Sequence, residues 1–180
     1  MFVLVVGAGR VGSSVATSAL RAGHTVSVLD EDPLSHERLD VELGSSWEES
    51  GGRFTIGTAL ETDALVEAGI GEADVFIAST NGDNTNLVVA QLAKRRFDVP
   101  KVIARVLDPR RAAWYQEQGL QTICPTQIAI EQLPRQVPAD LPTSRDDAVH
   151  QPITASSSIS IATWVGQTVW RPCSRYHSAR

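Results

Sequence analysis

Three glycines near the start of the chain stand at the spacing that a bound pyrophosphate requires. They lie in the run Gly7-Ala8-Gly9-Arg10-Val11-Gly12, which matches the pattern Gly-x-Gly-x-x-Gly. The first glycine makes a tight turn, the second lets a pyrophosphate approach the backbone, and the third lets a helix pack closely on a strand. The N–H groups and positive dipole end of that helix favour an anion. We therefore predict that this run binds nucleotide phosphates, with Arg10 as readily a phosphate donor as a solvated side chain.

A carboxylate, Asp30, follows the glycine run at a distance typical of ribose recognition. It ends a β-rich run over residues 25–29 and lies eighteen residues beyond Gly12. A carboxylate in this position accepts hydrogen bonds from a ribose hydroxyl and would repel a 2′-phosphate. The acid therefore disfavours NADP and leaves NAD(H), ATP and ADP as candidate ligands.

The residues around these two features predict the elements that position them. The apolar run Phe2–Val6 leads into the glycines as a strand, and Val11, Val15 and Ala19 follow at the spacing of one helix face. A strand, a glycine run, a helix and a second strand ending in an acid form the context that the fingerprint needs. This context favours a nucleotide-binding unit over a glycine turn that serves packing alone.

Strands and helices alternate through residues 1–124. The predicted strands are apolar or β-branched runs, and they cover residues 2–6, 25–29, 54–56, 75–78, 101–107 and 120–123. Alternation of this kind predicts an α/β fold: a Rossmann-like doubly wound parallel sheet of about six strands with helices on both faces. A ligand should then bind beyond the carboxyl ends of the strands, at the switch point of the sheet.

The predicted nucleotide-binding domain covers residues 1–135, and residues 136–180 differ from it. They begin with the composition of a linker, since prolines and a serine run occur there with little periodicity. Some forty-five residues cannot bury much core alone. We therefore interpret the remainder as an irregular or truncated C-terminal tail, which is either a docking element or part of a second domain.

Further polar side chains stand where predicted strands end. Thr80 and Asn81 follow the fourth strand and are predicted to contact the ligand. Arg105 interrupts an apolar strand, where a guanidinium needs an anion or an internal carboxylate, and a phosphate is the favoured partner. Asn84 and Asn86 are interpreted as helix-start residues rather than ligand contacts, with Asn84 as the helix cap.

No acid or base suited to hydride transfer accompanies these binding groups. The histidines lie in the turn that enters the second strand, on a surface helix and in the tail. Tyr115 has no lysine four residues on, because Gly119 stands there. Cys124 and Cys173 have neither zinc-site nor disulfide-framework spacing, and we expect both to be reduced thiols. We predict a protein that is not an enzyme and that has no metal site.

The overall charge and hydrophobicity argue against two further classes. A net charge of −5 and a pI near 5.3 do not suit a nucleic-acid binder, which concentrates Lys and Arg on one face. No apolar stretch approaches the ~20 residues that span a bilayer. The opening strand lacks the basic leader and the cleavage site of a signal peptide. We expect a cytoplasmic protein that does not insert into the membrane itself.

Longer motifs make this interpretation more specific. Over about residues 1–133 the chain resembles the TrkA N-terminal domain, also called the RCK or KTN domain, in the runs FVLVVGAGRVG, VLDED, DALVEAGIGEADVFIASTNGDNTNLVVAQLAK, VIARVLDP and ICPTQIAIEQL. The resemblance implies a cytosolic regulatory subunit that gates a potassium channel or a Trk-type potassium transporter. It implies binding of NAD(H) or of ATP and ADP, a peripheral location at the membrane through the transporter partner, and assembly as a homodimer or a higher ring.

The resemblance also implies roles for individual residues. It assigns ligand contacts at the strand ends, namely Gly7, Gly9 and Gly12 to the pyrophosphate, Asp30 to the adenosine ribose, Thr80 and Asn81 to the far end of the ligand, and Arg105 to a phosphate. The chain departs from the family where it reads Gly57-Thr58-Ala59-Leu60, because Gly-Asp-x-Thr is common there. An acid and a hydroxyl near the adenine are therefore missing. The family's usual C-terminal ligand-binding lobe is also not matched convincingly by the tail.

Two other functions stay open at this point. A small NAD-dependent oxidoreductase would share residues 1–30 but would need a proton donor. A nucleotide-free interaction module would use the same fold as a scaffold only. The strand ends supply binding groups without an acid or base, and this favours a bound nucleotide that acts as a signal.

Overall fold

Six parallel strands form a single sheet in a computed structural model that describes residues 1–137. The strands are Phe2–Val6 (β1), Thr25–Asp30 (β2), Arg53–Ile56 (β3), Val75–Ala78 (β4), Lys101–Arg105 (β5) and Gln121–Ile123 (β6). The chain divides into two units, Met1–Val137 and Pro138–Arg180. The predicted linker and tail fall almost entirely outside the described residues.

Six α-helices follow the strands in the chain. They are Arg10–Arg21 (α1), Ser35–Leu43 (α2), Thr62–Glu67 (α3), Asp83–Arg96 (α4), Pro109–Glu117 (α5) and Pro125–Gln132 (α6), with short 3₁₀ turns at Ile70–Glu72 and Leu133–Gln136. Glycines in the left-handed conformation follow two of these helices. Gly44, with φ 81°, ends α2, and Gly69, with φ 93°, follows α3. The helices α1 to α5 connect parallel strands as crossovers.

The central strand of the sheet is β1, and the strand order is β3-β2-β1-β4-β5-β6. Val5 of β1 pairs with Val28 of β2 on one side and with Ile77 of β4 on the other. The chain therefore winds outward in one direction through β3 and then returns to the centre for β4. A crevice at the carboxyl ends of the strands is expected where this order reverses.

Apolar side chains cover both faces of the sheet, because successive residues of a strand point to opposite sides. One cluster joins β1 and β2 to α1 and α2 and includes Val3, Val5, Val26, Val28, Ala16 and Leu39. The other joins β1, β2 and β4 to α3, α4 and α5 and includes Leu4, Leu29, Phe76, Leu65, Leu87 and Ala112. The predicted fold, a Rossmann-like doubly wound parallel sheet with helices on both faces, is confirmed.

The start of α4 differs from the prediction. The helix begins at Asp83 with Gly82 at the cap position, so the prediction that Asn84 caps it is wrong. The Asp83 carboxylate accepts hydrogen bonds from the backbone N–H groups of Leu107 and Asp108, at 2.8 and 3.0 Å. These bonds fix the first residue of α4 against the end of β5, so the helix starts one residue before Asn84.

The helix α6 was not predicted at all. Its cap residue is Cys124, whose Sγ accepts from the backbone N–H of Gln127 at 3.3 Å and donates to the Leu107 carbonyl at 3.4 Å. Ile128 and Ile130 are 51% and 55% exposed and stand two residues apart, which is a strand-like spacing. Periodicity therefore gave no helical signal here, and within the described residues the helix buries no side chain.

Candidate nucleotide site

The glycine run forms a tight loop between β1 and α1. Gly7 has φ 92°, a conformation that glycine tolerates best, and its N–H donates to the Leu29 carbonyl at 2.8 Å. A Cβ on Gly12 would lie 1.7 Å from the Gly7 carbonyl oxygen, so α1 can pack on the loop only with glycine there. A Cβ on Gly9 would meet no atom within 4 Å, which leaves that part of the backbone open to a ligand.

The peptide groups of Ala8 are held from two sides. Its N–H donates to Oδ2 of Asp30 at 2.5 Å, and its carbonyl accepts from Nη1 of Arg38 at 2.9 Å. The other carboxylate oxygen of Asp30 accepts from the Asp32 N–H at 2.9 Å. We call these contacts of Asp30 and Arg38 with Ala8 the Ala8 clamp. It fixes the loop from the end of β2 and from α2.

The first turn of α1 presents backbone donors to this loop. The helical hydrogen bonds start with the Ser13 N–H, which donates to the Gly9 carbonyl at 2.9 Å. The N–H groups of the preceding residues lie before this ladder and have no helical acceptor. Together with the positive end of the helix dipole, they can bind a phosphate without any side chain.

The end of β4 is joined to the same loop by Ser79. Its hydroxyl is buried and donates to the carbonyls of Val6 and Gly7, at 3.1 and 2.9 Å. The Ser79 N–H also donates to the Val6 carbonyl at 2.8 Å. The turn after β4 is thus fixed against the glycine loop, across the point where the strand order reverses.

Asn86 holds the next residue of that turn. It is 1% exposed, and its Oδ1 accepts from both the N–H and the hydroxyl of Thr80, at 2.9 and 2.7 Å. Its Nδ2 donates to the carbonyls of Thr80 and Arg105, both at 2.9 Å. Sequence reasoning placed Asn86 at a helix start, and it missed this role in joining the ends of β4 and β5.

Arg105 contacts the turn after β4 and is not among the described residues that line the crevice. Its Nη1 donates to the Thr80 carbonyl at 3.1 Å, and its buried Nε has no hydrogen-bond partner among the described residues. We expected a phosphate or an internal carboxylate beside this guanidinium, and the structure instead provides a backbone carbonyl. Contact between Arg105 and a ligand stays a prediction.

These groups border a crevice of about 430 Å³ at the carboxyl ends of β1 to β4. That volume lies within the roughly 300–1,000 Å³ of typical ligand pockets. The lining residues come from five segments: Val6, Gly7 and Gly9; Leu29, Asp30, Glu31 and Asp32; Ser35 and Arg38; Gly57, Thr58, Ala59 and Leu60; and Ser79, Thr80, Asn81, Gly82 and Thr85.

The predicted site residues divide into two groups. Those that line the crevice are Gly7, Gly9, Asp30, Thr80 and Asn81. Those placed around it are Ala8, which is buried in the clamp, Gly12, which packs on Gly7, Arg10 and Val11, which are exposed on the first turn of α1, and Arg105. The roles of all of these residues toward a ligand stay predictions.

Ser35 and Arg38 of α2 were not predicted to border the crevice. Their sequence signal was weak, since they lie five and eight residues past Asp30 in a helix with a modest apolar pattern. The start of α2 must nevertheless lie close to the end of β2, because a short loop connects them. Arg38 is the only cation among the described lining residues, which also include the acids Asp30, Glu31 and Asp32.

One further group of titratable side chains lies outside the crevice. Nε2 of His36 contacts Oε1 of Glu48 at 2.6 Å, and Nδ1 contacts Oδ2 of Asp40 at 3.6 Å. The two carboxylates thus meet different nitrogens of one ring. The contact with Glu48 links α2 to the loop that follows it.

The sheet order, the glycine loop and the acid at the end of β2 define a Rossmann-like nucleotide-binding domain. Within this class, the TrkA-N domain model matches residues 3–125. The chain belongs to the TrkA-N domain family.

Two curated relatives extend the match. The Trk system potassium uptake protein TrkA of Streptomyces coelicolor is 38% identical over 174 residues, which cover 95% of this chain and 74% of that protein. A TrkA homolog of Methanothermobacter thermautotrophicus is 31% identical over 123 residues, which cover 68% of this chain and 53% of that protein. The chain therefore spans about half to three quarters of the length of these relatives.

Two solved structures have the same fold. The TrkA-N domain of the inner membrane protein ybaL from Escherichia coli has a TM-score of 0.60 at 24% identity and covers 76% of this chain and 96% of that one. The Kef CTD of Shewanella denitrificans in AMP-bound form has a TM-score of 0.59 at 23% identity, over 77% and 84% of the two chains. Within residues 1–137 no helix is long and apolar enough to cross a membrane.

Proposed function

We propose that the chain is a cytoplasmic regulatory subunit of a Trk-type potassium uptake system, and that it responds to an adenine nucleotide bound in the crevice. The names of the relatives supply the biological context, because both are described as Trk potassium uptake proteins. The AMP-bound state of the Shewanella neighbour supports an adenine nucleotide as the ligand class. NAD(H), ATP and ADP all carry the adenosine ribose that the predicted contact requires.

The Ala8 clamp is the observation that carries this proposal. Asp30 and Arg38 hold the Ala8 peptide groups, at 2.5 and 2.9 Å, beside the open backbone at Gly9. A phosphate can therefore approach the donors at the start of α1 without any prior rearrangement of the loop. Asp30 retains free lone pairs, since a carboxylate offers about four acceptor sites, and these can meet a ribose hydroxyl.

The polar groups of the crevice favour binding over catalysis. At the end of β4, where the reactive part of a dinucleotide would be expected, the described lining residues are all neutral: Ser79, Thr80, Asn81, Gly82 and Thr85. The lining carboxylates lie at the end of β2, where the ribose contact is predicted. A small NAD-dependent oxidoreductase is therefore not favoured, because its proton donor would have to stand near the nicotinamide.

Regulation would follow from a difference in nucleotide affinity between two states of an assembly. A ligand shifts such an equilibrium only by as much as it prefers one state. We propose that paired copies of this domain change their relative angle when the crevice is filled. A membrane potassium transporter or channel subunit would be the partner that receives this motion, and its location would make the chain peripheral to the membrane.

Nucleotide binding by the whole chain is the first test. The purified chain is freed of copurifying ligand, the released material is identified by mass spectrometry, and calorimetric titrations follow with ADP, ATP and NADH. We expect saturable binding of at least one of them. Binding of none would leave the interaction-module alternative, and turnover of NADH with a small carbonyl substrate would favour the oxidoreductase.

Potassium uptake in the host tests the regulatory role. A strain that lacks this gene should grow poorly when potassium is limiting, and the intact gene should restore growth. The Asp30→Asn variant, produced at the same level, should restore growth less well because its crevice is impaired. Full restoration by a variant that no longer binds nucleotide in vitro would contradict a nucleotide-dependent role.

A further inference from the structure

We propose that His36 and Asp40 bind a divalent transition-metal ion such as Zn²⁺, with Glu48 as the carboxylate that orients the histidine ring. One atom from each of these three side chains lies within 4.8 Å of the other two. None of the three lines the described crevice, so metal binding here does not depend on the proposed nucleotide function. No metal site was predicted from the sequence, because the cysteines lack zinc-site spacing.

The two metal ligands stand on one face of α2. His36 and Asp40 are four residues apart, and side chains with this spacing are neighbours on a helix surface. Two histidines with the same spacing bind zinc in helices that carry the motif His-Glu-x-x-His. Nδ1 of His36 lies 3.6 Å from Oδ2 of Asp40. Two atoms that each bind one zinc ion at about 2.0–2.2 Å lie about 3.3–3.6 Å apart in a tetrahedral arrangement, so the ion fits between them with little movement.

Glu48 meets the opposite nitrogen of the same ring. Its Oε1 lies 2.6 Å from Nε2 of His36, which is within hydrogen-bond distance. A histidine that binds a metal through one nitrogen usually donates the N–H of the other to a carboxylate, a carbonyl or water. Such a bond fixes the tautomer in which Nδ1 carries a lone pair. Nδ1 is the nitrogen that faces Asp40.

The charges around the imidazole favour a cation. A neutral imidazole has one N–H, so it can donate to Glu48 or to Asp40 but not to both. With the proton at Nε2, the lone pair of Nδ1 faces a carboxylate oxygen, and two acceptors oppose each other. Among residues 1–137, neither carboxylate has a lysine or an arginine at ion-pair distance. A metal ion between Nδ1 and Oδ2 supplies the positive charge; protonation of His36 is the other source, and the experiments below separate the two.

Residues outside the group hold both ligands in place. Oδ1 of Asp40 accepts from the Trp47 N–H at 2.7 Å, which leaves Oδ2 to face His36. Trp47 is fully buried and fixes the loop that carries Glu48. The His36 ring packs edge-on against the Phe54 ring, with the ring centroids 5.3 Å apart. Ligands that are already fixed lose little freedom when an ion binds, and this favours affinity.

The types of ligand determine which metals suit the site. Imidazole suits Zn²⁺, Cu²⁺ and Ni²⁺, whereas Mg²⁺ and Ca²⁺ prefer sites built from oxygen atoms. The side chains of His36 and Asp40 are 31% and 37% exposed, so an ion can reach them from solvent. Two protein ligands leave coordination positions for water, so binding should be reversible and weaker than in a closed site with four protein ligands.

Zinc titration of the full chain tests the site. Calorimetric titrations of the purified chain, without an affinity tag, compare ZnCl₂ with MgCl₂. We expect saturable Zn²⁺ binding and no comparable binding of Mg²⁺. His36→Ala and Asp40→Asn should each weaken Zn²⁺ binding by at least about ten-fold. His24→Ala is the matched control, because His24 belongs to no group of possible metal ligands within residues 1–137, and it should leave the affinity unchanged.

Two of the variants separate ligation from folding and from orientation. Asp40→Asn keeps the acceptor for Trp47 and replaces Oδ2 with an NH₂ group, which cannot bind a metal, so this variant should fold normally by circular dichroism. Glu48→Gln should retain most of the Zn²⁺ affinity, because its amide oxygen can still accept from Nε2, whereas Glu48→Ala should lose about 10–100-fold. Equal losses in the two Glu48 variants would overturn the orienting role of this residue.

Nitrogen NMR of the histidine rings identifies the atom that binds. When Zn²⁺ is added, the Nδ1 signal of His36 should shift, while Nε2 should keep the signal of a protonated nitrogen. Absence of saturable Zn²⁺ binding, or binding that His36→Ala leaves unchanged, would overturn the inference. So would an Nδ1 that stays protonated in excess Zn²⁺, because His36 would then pair with the two carboxylates as an imidazolium.

Discussion

Oδ2 of Asp30 accepts the Ala8 N–H at 2.5 Å, so the acid predicted to meet a ribose also fixes the glycine loop. The sequence pattern alone assigns this acid to the sugar. In the folded chain the Asp30 carboxylate joins the glycine loop to the turn after β2, because its other oxygen accepts from the Asp32 N–H. Arg38 holds the same loop through the Ala8 carbonyl. Changes at Asp30 should therefore affect both the loop and the ligand.

Asp30→Ala should weaken adenosine nucleotide binding by about 1–3 kcal/mol, the loss expected when hydrogen bonds to a charged group are removed. Asp30→Asn should have a similar effect, because Ala8 and Asp32 donate to different oxygens of the carboxylate and the amide NH2 replaces one of them with a donor. Calorimetric titration with ADP measures the change. Asp63→Asn, on the exposed first turn of α3, removes the same charge and should leave the affinity unchanged. Unchanged affinity in both Asp30 variants would show that the carboxylate is not at the ribose.

Gly9→Ala and Gly12→Ala should separate binding from folding. A Cβ at residue 12 would stand 1.7 Å from the Gly7 oxygen, and we expect a loss of at least about 1–3 kcal/mol in the free energy of unfolding, as for overpacked cores. A Cβ at residue 9 meets nothing within 4 Å, so the protein should fold with a change of about 1 kcal/mol or less while nucleotide affinity falls. Urea unfolding and ADP titration are measured on both. Equal stability of the two variants would contradict the close contact at Gly12.

Asn86→Ala should lower the free energy of unfolding by about 2–3 kcal/mol, because buried groups of Thr80 and Arg105 lose their partner. Asn84→Ala is the matched control on the same helix. Asn84 is exposed and its Oδ1 accepts one hydrogen bond from Arg111, so that change should stay within about 0.5 kcal/mol. Urea unfolding monitored by circular dichroism compares the pair. Similar losses of unfolding free energy in the two variants would show that the buried hydrogen bonds of Asn86 stabilise the protein no more than the exposed bond of Asn84 does.

Cys124→Ala should destabilise the protein by about 1 kcal/mol, the typical effect of removing a helix cap. Cys124→Ser should retain most of the stability, because a hydroxyl can still accept from Gln127 and donate to Leu107. The free energies of unfolding of both variants are compared with that of the original chain under reducing conditions. A serine variant as unstable as the alanine variant would show that packing of the sulfur, rather than capping, matters at this position.

The strands and the glycine loop could be predicted because local sequence determines them. Phe2–Val6 and Val75–Ala78 are apolar runs bounded by turn residues, and the structure has strands at those residues. The glycine run predicts the turn, because the conformation at Gly7 and the close packing at Gly12 both favour glycine. Asp30 could be placed because parallel strands end at one edge of the sheet.

The contacts between distant segments could not be predicted. Asn84 and Asn86 are equally plausible helix-start residues in the sequence, and only the position of the end of β5 makes Asn86 the buried one. Arg105 was expected beside a charged group, but its Nη1 donates to the Thr80 carbonyl instead. Such pairings depend on the three-dimensional meeting of β4 and β5, which no local pattern encodes.

The Ala8 clamp also has a consequence for the time course of signalling. Because the loop is held in place before the ligand arrives, no slow ordering step has to precede association, as in other pre-organised sites. Differences in affinity among related ligands then appear mainly in their dissociation rates. The residence time of the nucleotide would therefore set how quickly potassium uptake follows a fall in its concentration.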